Sequence, residues 1–209
     1  MTSRRAANEQ ALLRELLVRI GGRGVNQRLL ARELGVALGV INGYLKRCIA
    51  DGLVEIAEKR GRRYRYALTP KGIAERARLE ARYIRESLSL FRRVEDSFDR
   101  LYADLAARGV ETAVLCGVDE LTDIAVLCSL ESGVRPVGVW RHAGRPTVVR
   151  GVPAIEMDDL GTADVVVVSV ERNAQLVYHA VCRRVAPERV AVPDILDIAM
   201  SPAAAGGEG

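Results

Sequence analysis

The stretch "VALGVINGYLKRCIADGLVEI" holds side chains suited to reading the edge of a base pair. An asparagine such as Asn42 can pair with adenine, an apolar side chain such as Leu38 can meet a thymine methyl, and Lys46 and Arg47 can neutralise phosphate. Leu38, Gly39, Val40 and Asn42 open the segment, with Gly43, Lys46 and Arg47 following. Upstream, Gln27 and Arg28 begin a separate helical run, where they can grip a phosphate. Downstream, the turn "EKRGRR" carries Lys59, Arg60, Arg62 and Arg63.

A second cluster lies in "TAVLCGVDELTDIAVLC". A strand, a glycine turn and a helix in that order can hold a diphosphate on free N–H groups at the helix start. Gly117 supplies the turn, and Val118, Asp119 and Glu120 follow it. The two carboxylates stabilise the helix start and repel phosphate there, and Asp119 is suited to N-cap the helix. Trp140, Arg141 and Arg145 follow the second strand, where a ring or an anionic group can be received. Ser169, Glu171 and Arg172 follow a later strand and would complete the crevice.

The elements that must position these groups are readable from periodicity. "RRAANEQALLRELLVRIGG" is an amphipathic helix with a glycine end, and "VNQRLLARELG" is a second helix. The third begins after a tight turn, with apolar positions at Val36, Val40, Ile41, Leu45 and Ile49. Val54, Ile56, Tyr64, Tyr66 and Leu68 then alternate with polar residues around Gly61, which predicts a β-hairpin. From Pro70 to about Arg108 a seam runs through Ala77, Ala81, Ile84, Leu88, Phe91, Val94, Phe98, Leu101 and Leu105. Its steps of three and four predict one long helix with a stripe that packs on the chain's own domains or, the reading preferred, on a second copy of the chain. After Gly109, near-continuous apolar strands alternate with helices, and a short strand is expected around "PTVVRGVPAIEM". That alternation predicts a parallel sheet covered on both faces.

Charge divides the chain in the same place. Residues 1–72 carry 15 Lys and Arg against 6 Asp and Glu, net +9, whereas the rest carries 16 against 21, net −5. A polyanion partner is expected for the first part alone. No run approaches the roughly 20 apolar residues of a bilayer span, and "MTSRRAANEQ" lacks a signal-peptide core, so a cytoplasmic location and no membrane partner are expected. Cys48, Cys116, Cys128 and Cys182 are widely spaced, as are His142 and His179, so structural thiols and no metal site are expected. Ser169 with His142 or His179 lacks a nucleophile-elbow setting, so the chain is expected not to be an enzyme.

"NQRLLARELGVALGVINGYLKRCIADGLVEI" followed by "YRYALTPKGIAER" resembles the winged helix-turn-helix regulators of the MarR class, in particular those associated with exopolysaccharide loci. The resemblance rests on the opening Gln, the Leu-Gly-x-x-Asn run and the Leu-Thr-Pro-x-Gly ending. It implies a dimeric regulator that binds double-stranded DNA. Ala37 departs from the usual Ser or Thr N-cap of the recognition helix. Residues 110–194 resemble, less specifically, Rossmann-like domains of CoA-binding proteins and those preceding sugar acetyltransferases, which implies a nucleotide-type ligand.

The resulting expectation is an α+β winged helix domain over 1–72, a long linking and dimerisation helix over 73–108, an α/β Rossmann-like parallel-sheet domain over 109–200, and a disordered tail over 201–209. The function expected is that of a homodimeric, sequence-specific transcriptional regulator. Three alternatives stay open for the last domain: it senses a small-molecule effector, it serves dimerisation alone, or it acts on a nucleotide-type substrate. The sequence names no cofactor.

Overall fold

The computed structural model describes residues 2–22, 25–60, 63–141 and 148–200, without the side chains of 2–7, 58–60 and 63. The chain divides into two compact units, Met1–Leu88 and Ser89–Gly209.

The first unit contains three helices, α1 (Thr2–Gly22), α2 (Gln27–Glu33) and α3 (Leu38–Ala50), and a hairpin of β1 (Val54–Arg60) and β2 (Arg63–Leu68). Asn26 caps α2 by accepting the Leu29 N–H at 3.0 Å, which satisfies one of the donors a helix start leaves open. Gly35, at φ +63°, turns the chain between α2 and α3, a conformation that glycine adopts without penalty. Leu16, Leu17 and Ile20 of α1 pack with Leu30, Ile41, Leu45, Cys48, Val54 and Tyr66 in one core. Ile41, Leu45 and Cys48 form the buried face of α3, whereas Val40 and Ile49 are exposed, which corrects two of the apolar positions assigned from periodicity. β1 and β2 are antiparallel, Val54 facing Leu68 and Ile56 facing Tyr66.

The run "LTPKG" has a structural reason. Thr69 Oγ1 accepts the Gly72 N–H at 3.0 Å and donates to the Gly52 carbonyl at 2.6 Å, joining the end of α3 to the start of α4 (Pro70–Ala107). Pro70 opens that helix, where a missing N–H costs nothing. At Gly72 a Cβ would lie 1.9 Å from the Leu53 carbonyl oxygen, so only glycine lets α4 pass this close.

The second unit holds a four-stranded parallel sheet in the order β4-β3-β5-β6, formed by Arg135–Trp140, Thr112–Cys116, Val165–Val168 and Val190–Ala191 respectively. Side chains alternate between its faces as the pleat requires. Ala113, Leu115, Val165 and Val167 pack with α5 (Glu120–Ser132) and with Val94, Phe98, Tyr102 and Leu105 of α4. Val114, Cys116, Val166 and Val168 pack with α6 (Ala174–Cys182) and the 3-10 turn at Met157–Thr162. Both faces are covered, so the α/β parallel-sheet expectation holds. Of the segment where a short strand is expected, residues 148–157 are described, and they hold isolated bridges instead, Val149 with Val152 and Val139 with Ala154.

The seam on α4 does not serve one purpose throughout. Val94, Phe98 and Leu105 are buried in the chain's own second unit, which corrects the assignment of the whole stripe to a second copy. Two successive steps of three, Leu88 to Phe91 to Val94, displace the stripe around the helix, because three residues turn it through about 300°.

Candidate functional site

With Ile41, Leu45 and Cys48 turned inward, α3 leaves Leu38, Gly39, Val40, Gly43, Lys46 and Arg47 exposed. Ala37 stands at its N-cap and makes no side-chain cap bond, as its methyl group dictates. Asn42 is half-buried, and its Oδ1 is buried without a hydrogen-bond partner among the described residues. The Arg47 guanidinium stacks on the Tyr44 ring at 4.5 Å, a contact that holds the cation on the helix surface. A Cβ added at Gly39 or Gly43 would meet nothing within 4 Å. Neither glycine is required by the chain's own packing, yet each weakens a helix by about 0.5–1 kcal/mol relative to alanine.

Beside this face lies a cavity of about 760 Å³, lined by Asn26, Gln27, Arg28, Leu29, Arg32, Leu38 and Tyr64. Helix α2, the start of α3 and strand β2 therefore line it, with Arg28 and Arg32 among its walls. Gln27 does not stand free to grip a phosphate, because its side-chain amide donates to the Tyr66 hydroxyl. Tyr64 and Tyr66 were read from sequence only as hairpin positions, and Arg32 was not singled out; for Arg32 the signal was its spacing of four from Arg28, which puts both on one side of α2. Gly61 and Arg62 lie outside the described residues, as do the side chains of Lys59, Arg60 and Arg63.

In the second unit, the crevice at the carboxyl ends of β3 and β5 is filled from within. Asp119 is the N-cap of α5 and accepts the Leu121 N–H at 3.1 Å. Its other oxygen accepts the Glu171 N–H, 2.9 Å away, in the loop after β5. Thr122 Oγ1 donates to the Ser169 carbonyl at 2.8 Å and lies 3.1 Å from the Ser169 hydroxyl. A Cβ at Gly117, whose φ is +149°, would be 2.5 Å from the Ser169 carbonyl oxygen and 2.7 Å from Thr122 Oγ1. This glycine is explained by the approach of the chain to itself.

Other candidate ligand contacts are redistributed. Ser169 is fully buried, and Trp140 lies within the core, so neither is the open crevice residue foreseen. Val118 packs against the core formed by α4 and α5. Glu120, Arg141 and Arg172 are exposed, and Arg145 and His142 lie outside the described residues. Arg150, unremarked in the sequence, pairs with Asp123 of α5 at 3.1 Å.

Burial pushes the Cys48 thiol up to about 11 and raises those of Cys116 and Cys128, so all three are protonated at neutral pH. Among the described residues, no group of three or more His, Cys, Asp or Glu is placed to hold a metal ion. No helix among them is long and apolar enough to cross a membrane.

No protein-family model matches the chain, and no curated protein matches it. Among solved structures, human N-acetylserotonin methyltransferase in complex with SAM is similar to it at 12% identity, with a TM-score of 0.35, over 90% of this chain and 77% of that one. The matched protein is an enzyme, and the expectation that this chain is not one is withdrawn on that finding.

Proposed function

We propose that the chain is a homodimeric transcriptional regulator that binds double-stranded DNA in a sequence-specific manner. In this reading the first unit is a winged helix-turn-helix domain, α3 its recognition helix and the β1–β2 hairpin its wing. The observation that carries the reading is the exposed face of α3. Lys46 and Arg47 stand there beside two glycines that the fold does not require, and beside a half-buried Asn42 whose oxygen has no hydrogen-bond partner among the described residues. Helical glycines of this kind permit a large partner to approach the backbone closely. The net charge of +9 over residues 1–72 gives that partner its sign.

The second unit is read as a Rossmann-like domain whose phosphate position is taken by its own carboxylate. Asp119 occupies the Leu121 N–H at the helix start, where a diphosphate would bind, and its other oxygen is held by the Glu171 N–H. A dimerising or scaffolding role is favoured over dinucleotide binding at that turn.

Fluorescence anisotropy with a random-sequence duplex, repeated over a range of salt, tests the proposal. Binding should weaken steeply with salt, and Lys46→Ala should weaken it for all sequences while reducing the salt slope by about 1. Selection from a random duplex library should then yield a palindromic site. Absence of duplex binding at low salt overturns the reading.

A further inference from the structure

Among the described residues, nothing buries the first half of the α4 stripe. Ile73, Ile84, Leu88 and Phe91 are 50%, 55%, 53% and 43% exposed, and residues 81–93 are exposed on every side of the helix. A helical stretch of this length is marginal in water by itself, so something must pack on it. Ala77, Ala81, Ile84, Leu88 and Phe91 follow steps of four, three, four and three. That makes the seam a narrow one, suited to a second helix.

The charges beside the seam select which helix, and in which direction. Arg78, Arg85 and Arg92 recur every seven residues along one edge, while Glu80 and Ser87 occupy the other. If two copies run antiparallel, like edges meet and the arginines face one another. If they run parallel and in register, each Glu80 faces the Arg85 of its partner, five residues further on, the usual ionic pairing across such a seam. Within the chain Arg82 is paired with Glu86 and Arg78 with Glu75, each at 2.7 Å, and Glu80 lies 3.9 Å from Arg76, so the cross-seam pairing rests on Glu80 and the exposed Arg85 of the second copy.

We propose that the Ala77–Phe91 segment of α4 pairs with the same segment of a second copy as a parallel, in-register two-stranded coiled coil. This rests on the dimeric reading above and adds its direction, register and residues. The pairing brings the two Pro70 ends together.

Single substitutions Ala77→Cys and Leu88→Cys, each in a Cys182→Ser background, test the register. Each is expected to form an interchain disulfide on mild oxidation, whereas a mixture of Ala77→Cys and Phe91→Cys chains should not yield the mixed product preferentially. Arg85→Glu should weaken the dimer about tenfold in sedimentation, and the exchange Glu80→Arg with Arg85→Glu should restore it. A wild-type monomer at the concentrations of the DNA assay, or preferential 77–91 cross-linking, overturns the proposal. A chain that cross-links at 77 and 88 but binds no duplex overturns the regulator reading and leaves this pairing standing; one that binds duplex as a monomer overturns the pairing and the dimeric part of that reading, and leaves DNA binding standing.

Discussion

The carboxylate of Asp119 accepts the backbone N–H of Glu171 at 2.9 Å, tying the loop after β3 to the loop after β5. The same side chain caps α5 through Leu121. One carboxylate thus closes the crevice in which the open end of a parallel sheet would otherwise receive a ligand. Asp119→Ala should cost about 1–2 kcal/mol through loss of the cap and of the bridge. Asp119→Asn, which keeps an acceptor, should lose less. Urea denaturation of the two variants checks the order; equal stability to wild type would remove the carboxylate from this role.

Gly117→Ala is expected to destabilise more than the space of one methyl suggests. The added carbon meets the Ser169 carbonyl and Thr122 Oγ1, and the backbone is held at a φ of +149°. Overpacking of this kind typically costs about 1–3 kcal/mol. A thermal shift within error of wild type would show that the two loops separate easily.

Gly43→Ala should move stability and binding in opposite directions. Nothing stands within 4 Å of the new methyl group, so the helix should gain about 0.5–1 kcal/mol. Duplex affinity should fall, because the methyl group keeps the backbone of α3 away from its partner. Anisotropy and denaturation on the same sample check both; unchanged affinity would argue that this face of α3 does not dock.

The two halves of the α4 stripe should respond differently. Phe98→Ala opens a hole among Val94, Tyr102, Leu105 and Leu115, and should destabilise the second unit by about 3–5 kcal/mol. Ile84→Ser removes an exposed side chain and should change the sedimentation of the protein rather than the folding of its chain. Circular dichroism and sedimentation together distinguish the two.

Acid should weaken the second unit in a defined window. Hydrogen bonds from the Thr112 hydroxyl and from the Thr112 and Glu111 N–H groups hold Asp164 below its ordinary range. Hydrogen bonds from Ser97 and Arg100 do the same for Asp194. A carboxylate lowered on folding contributes stability that is present above its unfolded pKa of about 3.9 and is lost as pH falls through the lower folded value. Urea midpoints should therefore be level between about pH 7 and pH 5 and fall below about pH 4. Asp164→Asn should flatten that fall; an unchanged acid limb would remove Asp164 as a contributor.

Much of the architecture was legible because it depends on local pattern. The periods of three to four and of two located the three short helices, the hairpin, the long helix and the parallel strands, since burial of one face imposes that spacing wherever the segment lies. Ala37 also foretold its own missing cap bond, and Asp119 its capping one, because a cap is decided within a few residues.

Tertiary structure decided what depends on neighbours distant in sequence. Ser169 and Trp140 look like crevice residues from their places after strands, but packing buries them. Asp119 reads as a charge opposing phosphate, and only the approach of Glu171, 52 positions away, makes it the internal occupant of that place. The α4 stripe is continuous as a pattern, and its division into a covered and an uncovered half appears only when the sheet and α5 pack on Val94 and Phe98 within the second unit. Periodicity says that a face must be covered, because apolar surface is costly in water; which surface covers it is set by long-range contacts that no local window contains.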